Sequence, residues 1–453
     1  MKGMEGRIAP KLGLWPGVGL VAANMIGAGV FLSAGFMAQD MGPAPILLAW
    51  IVGAALALSG ARAYAAVARL VPRSGGEYRY LSELLHPSLG YLSGWASLLV
   101  GFSAPIAADA IAAGEFARTV IPGLHARWAA AALITALTLL HLVGLRTSAR
   151  TQNALVVLKA LLLAGFVGVG LAFGSAAWPA WQPPGGGAGF PLAAFVRSLF
   201  FVAFAFSGWN AVAYAAEEFR EPERTVPRAM LVGCALVALL YLVVNWIFVA
   251  NLTPSDATIV FHYESDRVTL GHAVVTKLLG AGAGRVMSLF TVAVFLSAMS
   301  AMIFVGPRVY AAMARDGYLP RALAGHDGRP PVGAILLQGA LSIAIVFTHP
   351  LREILESVGA ILVLFSALVA LGLFRVARRS AGRPRPSPIA LAAAAVYVAA
   401  SAWMLGYAFR DAPRVLAWIA GVAAAGLGGW ALSRRRPAAA APPAPAAMPD
   451  PGP

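Results

Sequence analysis

The chain has 453 residues, of which 59% are hydrophobic and 12% charged, with a mean hydropathy of +0.75. That composition excludes a soluble globule and points to a polytopic helical membrane protein with room for about a dozen spans of ~20 residues. The single cysteine, Cys234, excludes a disulfide framework within the chain, and the formal net charge of +15 calls for an account of where the basic residues lie.

The first apolar segment, 12–36, is too long for a cleavable signal peptide and reads as a span. It is interrupted at Asn24-Met25-Ile26-Gly27-Ala28-Gly29-Val30-Phe31. Two glycines this close together are poor helix formers. A break at membrane depth exposes backbone groups that lipid cannot satisfy, so it survives only where it lines a cavity or meets a ligand. Further helices are predicted over 43–69, 90–119, 126–145, 152–174, 192–219, 227–250, 284–314, 331–349, 353–376, 387–409 and 413–433. The sixth carries a second break, Phe206-Ser207-Gly208-Trp209-Asn210. Residues 175–190 read as an irregular outer loop. Residues 251–283, with Asp256, Glu264 and Asp266, read as the largest external excursion, and the Pro/Ala-rich tail as disordered.

With a cytoplasmic N-terminus, 24 of the 34 Lys and Arg fall on the inner side of this twelve-helix scheme and 9 on the outer, with Lys159 inside a span. The bias places both termini in the cytoplasm and accounts for the basic charge without nucleic acid. The expected organisation is a cytoplasmic N-terminus (1–11), a first five-helix unit (12–174), a second (192–376), two further helices (387–433) and a disordered cytoplasmic tail (434–453). Five is odd, so the second unit is inverted relative to the first, and each unit opens on a broken helix. Paired breaks at corresponding positions are the best sequence pointer to a transporter binding site. The N-terminus of a half-helix suits a carboxylate and the C-terminus of one suits an ammonium group. The expected zwitterion receptor has amides at Ala28, Gly29 and Val30 and carbonyls at Met25, Ile26, Phe204 and Ala205, with Ser207 and Trp209 lining it. The competing reading is that the glycines only allow close helix packing.

Intramembrane polar residues add candidates. Lys159, about two turns into the fifth helix, is a costly buried ammonium that can exchange a proton; the alternative is snorkelling over ~10 Å to the inner interface. Asp109 in the third helix is a candidate contact for a cationic side chain, or a group of the outer vestibule, with Glu115 and Arg118 beyond it, or of helix packing. Glu217 and Glu218 are expected in a salt-bridge network with Arg220, Arg224 and Arg228. His141 reads as hydrogen-bonded core. Enzymatic motifs such as Gly-x-Ser-x-Gly and His-Glu-x-x-His are absent, and no residue pattern calls for a cofactor or metal. A channel would need a ring of like filter elements rather than one unlike pair of broken helices.

Several motifs are shared with one family. Ile26-Gly27-Ala28-Gly29-Val30-Phe31, Pro72-Arg73-Ser74-Gly75-Gly76-Glu77-Tyr78 and Gly144 to Asn153 resemble segments of the amino acid–polyamine–organocation (APC) superfamily. The most specific match is Phe204 to Asn210 followed by Glu217 to Ala229, which is similar to amino acid permeases and L-type amino acid transporters; Gly306 to Pro320 matches the end of the eighth helix. The resemblance implies a LeuT-type 5+5 inverted repeat with helices 1 and 6 unwound at mid-membrane, alternating access, and amino acids as substrates. It also implies that Phe204 covers the substrate on its outer side, unless it is ordinary core. It places Lys159 where sodium-coupled relatives hold an ion, and Ser297 and Ser300 where they supply hydroxyl ligands. The expected function is sodium-independent L-amino acid transport across a bacterial inner membrane, proton-coupled or by exchange. Small or neutral substrates are expected because Ser103, Ile106 and Ser207 lie in surroundings with little fixed charge. The alternative is a cationic amino acid or polyamine antiporter. The expected partners are the amino acid, the lipid bilayer and protons, with the chain a monomer or homodimer.

Overall fold

A computed structural model describes residues 12–118, 120–121, 123–143, 145–179, 181, 189–252, 270–325, 331–378, 384–411 and 413–433. The expectations for 1–11, for the tail 434–453 and for Asp256, Glu264 and Asp266 lie outside those residues. Within them the chain is all-helical, and the one β-like contact is a parallel bridge between Leu12 and Phe219.

Among the described residues, eight helical stretches are long and apolar enough to cross a membrane, and four shorter apolar helices accompany them: Ala126–Leu142, Leu192–Ala205, Val332–Thr348 and Leu416–Ala431. The first stretch is two helices, α1 (Leu14–Met25) and α2 (Ala28–Asp40). α3 (Pro43–Leu70) starts on a proline, which costs nothing where the N–H would have no helical partner. α4 (Gly76–Leu84) is a helix that the apolar pattern does not predict; it follows the Ser74-Gly75-Gly76 turn. α5 (Pro87–Ala96) runs through a π-helical segment, Ser97–Ser103, into α6 (Ala104–Arg118). α7 spans Ala126–Leu142 and α8 Leu145–Phe173, so the Gly144 to Asn153 motif is almost wholly the start of a helix rather than a loop.

In the second half, α9 (Leu192–Ala205) gives way to turns and a single helical turn, α10 (Ala211–Tyr214). α11 (Pro222–Ala250) follows, then α12 (Leu270–Leu279) inside the stretch expected as an external loop, and the long α13 (Ala281–Arg315). α14 (Val332–Thr348), α15 (Leu351–Arg378), α16 (Pro388–Asp411) and α17 (Pro413–Ser433) complete the order. Most predicted helices lie within a few residues of these bounds. The fifth begins earlier, at Leu145, and the sixth ends as a regular helix at Ala205, where its break begins.

The core sits where the broken segments meet. α1 packs against α10 and α11, α2 against α9, and α13 against α6. The approach of α2 to α9 is very close: a Cβ on Gly29 would stand 2.4 Å from the Ala205 Cα. Only glycine allows that contact, so packing and interruption are two uses of the same residues.

Candidate functional site

The first break is built by two extended residues. Ile26 (φ −81°, ψ 94°) closes α1 through its N–H to the Ala22 carbonyl at 3.0 Å, and Gly27 (φ −140°, ψ −150°) opens α2. The amides of Ala28, Gly29 and Val30 thus form the first turn of a new helix and have no acceptor earlier in it. The second break begins as Ser207 N–H donates to the Phe204 carbonyl at 3.0 Å. Gly208 then turns with φ +102°, and a Cβ there would stand 2.9 Å from the Asn24 carbonyl carbon. A left-handed residue pressed on a neighbouring backbone must be glycine. The two breaks are therefore in contact, Asn24 against Gly208 and Gly29 against Ala205.

Two side chains hold the ends of the first break. Lys159 is buried and its Nζ donates to the carbonyls of Ala23 at 3.0 Å and Ile26 at 2.5 Å. It faces the C-terminal end of α1, where orphan carbonyls favour a cation, and it does not snorkel. Asp109 is also buried, and its Oδ1 accepts from the Ala28 N–H at 2.6 Å. Of the alternatives for it, that is a buried packing position at the first break and not the outer end of the third helix. The group at that end is Glu115, paired with Arg118 at 3.1 Å.

The carbonyls expected to receive an ammonium already carry protein donors in this conformation. Tyr241 OH donates to Met25 O at 2.7 Å and is within 3.0 Å of Ala205 O. Ile26 O accepts from Lys159, and Phe204 O from Ser207. Sequence reasoning misses Tyr241 because one tyrosine in an apolar run has no local signature.

A cavity of about 880 Å³, counting its open mouth, reaches the breaks from the other side. Asn24, Ser207, Gly208, Trp209 and Asn210 form one polar wall, Ser366, Tyr397 and Ser401 add polar groups from α15 and α16, and mostly apolar residues of α3, the π-helical segment, α9, α13, α15 and α16 form the rest. Of the expected site residues, Ser207 and Trp209 line it. Met25, Ile26, Ala28, Gly29, Val30, Phe204 and Ala205 do not line it, and Phe206 rather than Phe204 faces the cavity at the end of α9. Trp209 is braced edge-on by Tyr64, with ring centroids 4.6 Å apart. Ser103 is turned inward to the Leu98 carbonyl at 2.6 Å. Ser300 Oγ is 2.9 Å from His141 Nε2, which bears out His141 as hydrogen-bonded core. Ser297 Oγ is buried without a hydrogen-bond partner among the described residues.

Beside the second break lies a cluster whose pairing has no signature in the sequence. Glu77, buried on α4, accepts from Tyr64 OH at 3.1 Å, from Asn210 Nδ2 and from Tyr214 OH. Gly76 (φ +54°) brings α4 so near Tyr214 that a Cβ would overlap its ring. Burial raises the Glu77 carboxyl above its ordinary range, and the three donors oppose that rise. Further out, Glu218 pairs with Arg308 of α13 at 2.6 Å, rather than with the arginines that follow it in sequence. Leu12 and Phe219 are bridged by Leu12 N–H to Glu218 O at 2.8 Å and Arg220 N–H to Leu12 O at 2.9 Å. These contacts tie together the segments that flank the two breaks.

Apolar helices of spanning length, with two interrupted helices meeting beside a cavity, are those of a multi-pass membrane protein. A family model described as amino acid permease matches residues 12–424, and the chain belongs to that family, within the APC superfamily. It is similar to the large neutral amino acids transporter small subunit 2 of Rattus norvegicus, with 26% identity over 424 residues, 89% of this chain and 77% of that protein. It is similar to the b(0,+)-type amino acid transporter 1 of Mus musculus, with 25% identity over 391 residues, 84% of this chain and 79% of the relative. The Asc-type amino acid transporter 1 of Homo sapiens is 26% identical over 434 residues, 91% of this chain and 80% of the relative. The chain is thus a membrane transporter of amino acids and not an enzyme.

Proposed function

We propose that this permease is a sodium-independent secondary transporter of neutral L-amino acids that works by alternating access. Twelve spans form the 5+5 inverted repeat plus two helices, with both termini in the cytoplasm of a bacterial inner membrane. The observation that carries the reading is the contact between the two breaks, Gly29 on Ala205 and Asn24 on Gly208, beside one cavity. The substrate carboxylate is held by the Ala28–Val30 amides. The ammonium lies at the carbonyl ends of α1 and α9, where each oxygen has a second lone pair. Lys159 supports sodium independence, because its ammonium sits on the Ala23 and Ile26 carbonyls that a cation would need.

The lining supports apolar rather than charged side chains, and larger ones than the sequence suggested. Leu56, Phe102, Met302, Leu362 and Met404 face the cavity, and no charged side chain lines it among the described residues. That weighs against a cationic amino acid or polyamine antiporter, since the one carboxyl at the first break, Asp109, faces backbone away from the cavity.

The test is uptake of labelled L-amino acids into proteoliposomes, with a proton gradient, a sodium gradient or internal amino acid supplied in turn. Saturable, stereoselective uptake driven by protons or by internal amino acid is expected. Uptake that depends on sodium would contradict the reading, as would linear uptake without stereoselectivity.

A further inference from the structure

The carrier mechanism above asks nothing of Asp109, yet this carboxyl has the place best suited to a ligand. It comes from α6, 81 residues from Ala28 in the chain, and reaches the first amide of α2 at 2.6 Å. The N-terminus of a 13-residue helix is an anion receptor, because its orphan amides and dipole both favour negative charge. The second oxygen, Oδ2, is buried and has no hydrogen-bond partner among the described residues. Both oxygens lie 3.0 Å from the point where a Cβ on Gly27 would stand, so the carboxyl rests directly on glycine backbone. A group fixed there for structure alone would be expected to have both oxygens satisfied, since an unpaired buried acceptor is costly. A substrate carboxylate needs these same amides. Two carboxylates at hydrogen-bond distance from one donor repel each other, so they cannot both stay.

We infer that Asp109 is an internal stand-in for the substrate carboxylate, occupying the α2 N-terminus when no amino acid is bound and yielding it when one binds. Asp109 is thereby a specificity-determining residue. A ligand that enters the site must outcompete a carboxylate already in place, which a free carboxylate does and a neutral amide or ester does poorly. At the other end of the same break Lys159 holds the carbonyls, so both ends of the break are capped by charged groups of the protein itself. The inference rests on the proposed placement of the substrate carboxylate at Ala28–Val30.

The experiment is equilibrium binding to the purified full-length chain. The probes are the best-bound member of a panel of L-alanine, L-leucine and L-phenylalanine, and the primary amide of the same amino acid. The wild-type protein is expected to prefer the acid. Asp109→Asn keeps the size and one acceptor but loses the charge, and is expected to tighten the acid about tenfold while the amide changes less than twofold. Asp109→Ser is expected to act in the same direction, which guards against a folding defect in one variant. If the wild type prefers the acid but neither substitution tightens it, the stand-in role is wrong and the placement of the carboxylate survives. If both substitutions weaken acid and amide alike, Asp109 binds the ammonium instead and the inference is overturned. If the wild type binds acid and amide equally, the carboxylate is not held at α2, and the placement and the inference fail together.

Discussion

The two breaks solve the same problem, unsatisfied backbone inside a membrane, by different means. At the first, between α1 and α2, charged side chains close the gap: Asp109 on the Ala28 amide and Lys159 on the Ala23 and Ile26 carbonyls. At the second, between α9 and α10, neutral groups do so. Ser207 N–H donates to the Phe204 carbonyl and Ala211 N–H to the Gly208 carbonyl, each at 3.0 Å, and Tyr241 OH lies within 3.0 Å of the Ala205 carbonyl. The cavity follows the second break and stops short of the first amide of α2. The difference suggests a division of labour in which the first break carries charge recognition and the second shapes the space for a side chain.

The largest effect is expected where the breaks touch. Gly29→Leu drives a branched side chain into the Ala205 backbone, an overpacking of the kind that costs about 3 kcal/mol. It should lower the melting temperature by several degrees and abolish uptake, and unchanged stability would mean that the breaks do not pack as described. Next comes the charged break. Lys159→Ala leaves the Ala23 and Ile26 carbonyls without their donor and is expected to reduce gradient-driven uptake by about a hundredfold, near the upper end of ordinary coupling energies. Gradient-driven uptake that survived this change would remove the coupling role from the first break. A smaller and selective effect is expected at the neutral break. Ala203 lines the cavity, so Ala203→Phe should weaken uptake of L-phenylalanine or L-leucine about tenfold and spare L-alanine. Equal losses for all three would show that the cavity does not receive the side chain.

The smallest effect concerns the carboxyl beside the second break. Burial raises the folded-state pKa of Glu77 above its ordinary value of 4.5. The folded state therefore binds the proton more tightly than the unfolded chain does. Stability from this group is fully present below pH 4.5 and falls as pH rises through the raised value. Glu77→Gln should flatten that slope in thermal unfolding measured from about pH 4 to about pH 8. A slope identical to that of the wild type would show that Glu77 is not the group responsible.

Local signals are legible in the sequence and long-range pairings are not. The glycines of Ile26-Gly27-Ala28-Gly29 and Ser207-Gly208 mark both breaks, because interruptions at corresponding positions of two units point to unwound helices more strongly than to close packing alone. Apolar runs mark the helices, and the depth of Lys159 in its run marks it as intramembrane. Its partners cannot be read, since the choice between snorkelling and reaching inward depends on helix rotation. The place of Asp109 stays open for the same reason: distance along α6 does not reveal which face meets α2. Glu77 reads only as part of a motif, because its donors come from Tyr64, Asn210 and Tyr214, up to 137 residues away. The π-helical segment Ser97–Ser103 shifts the register of everything after it on that span, which no periodicity count anticipates.

The central claim is that an amino acid binds where the two breaks meet. Ser207 lines the cavity at the second break, and the native Cys234 is buried, so a Ser207→Cys variant carrying Cys234→Ser offers one accessible thiol. The direct measurement is the rate at which a small thiol reagent labels that introduced thiol in membranes, with and without a transported L-amino acid. The account predicts saturable slowing by the L-enantiomer, little by the D-enantiomer, and a half-effect at the concentration that half-saturates uptake. Labelling that stays unchanged at saturating concentrations of a transported amino acid would contradict it.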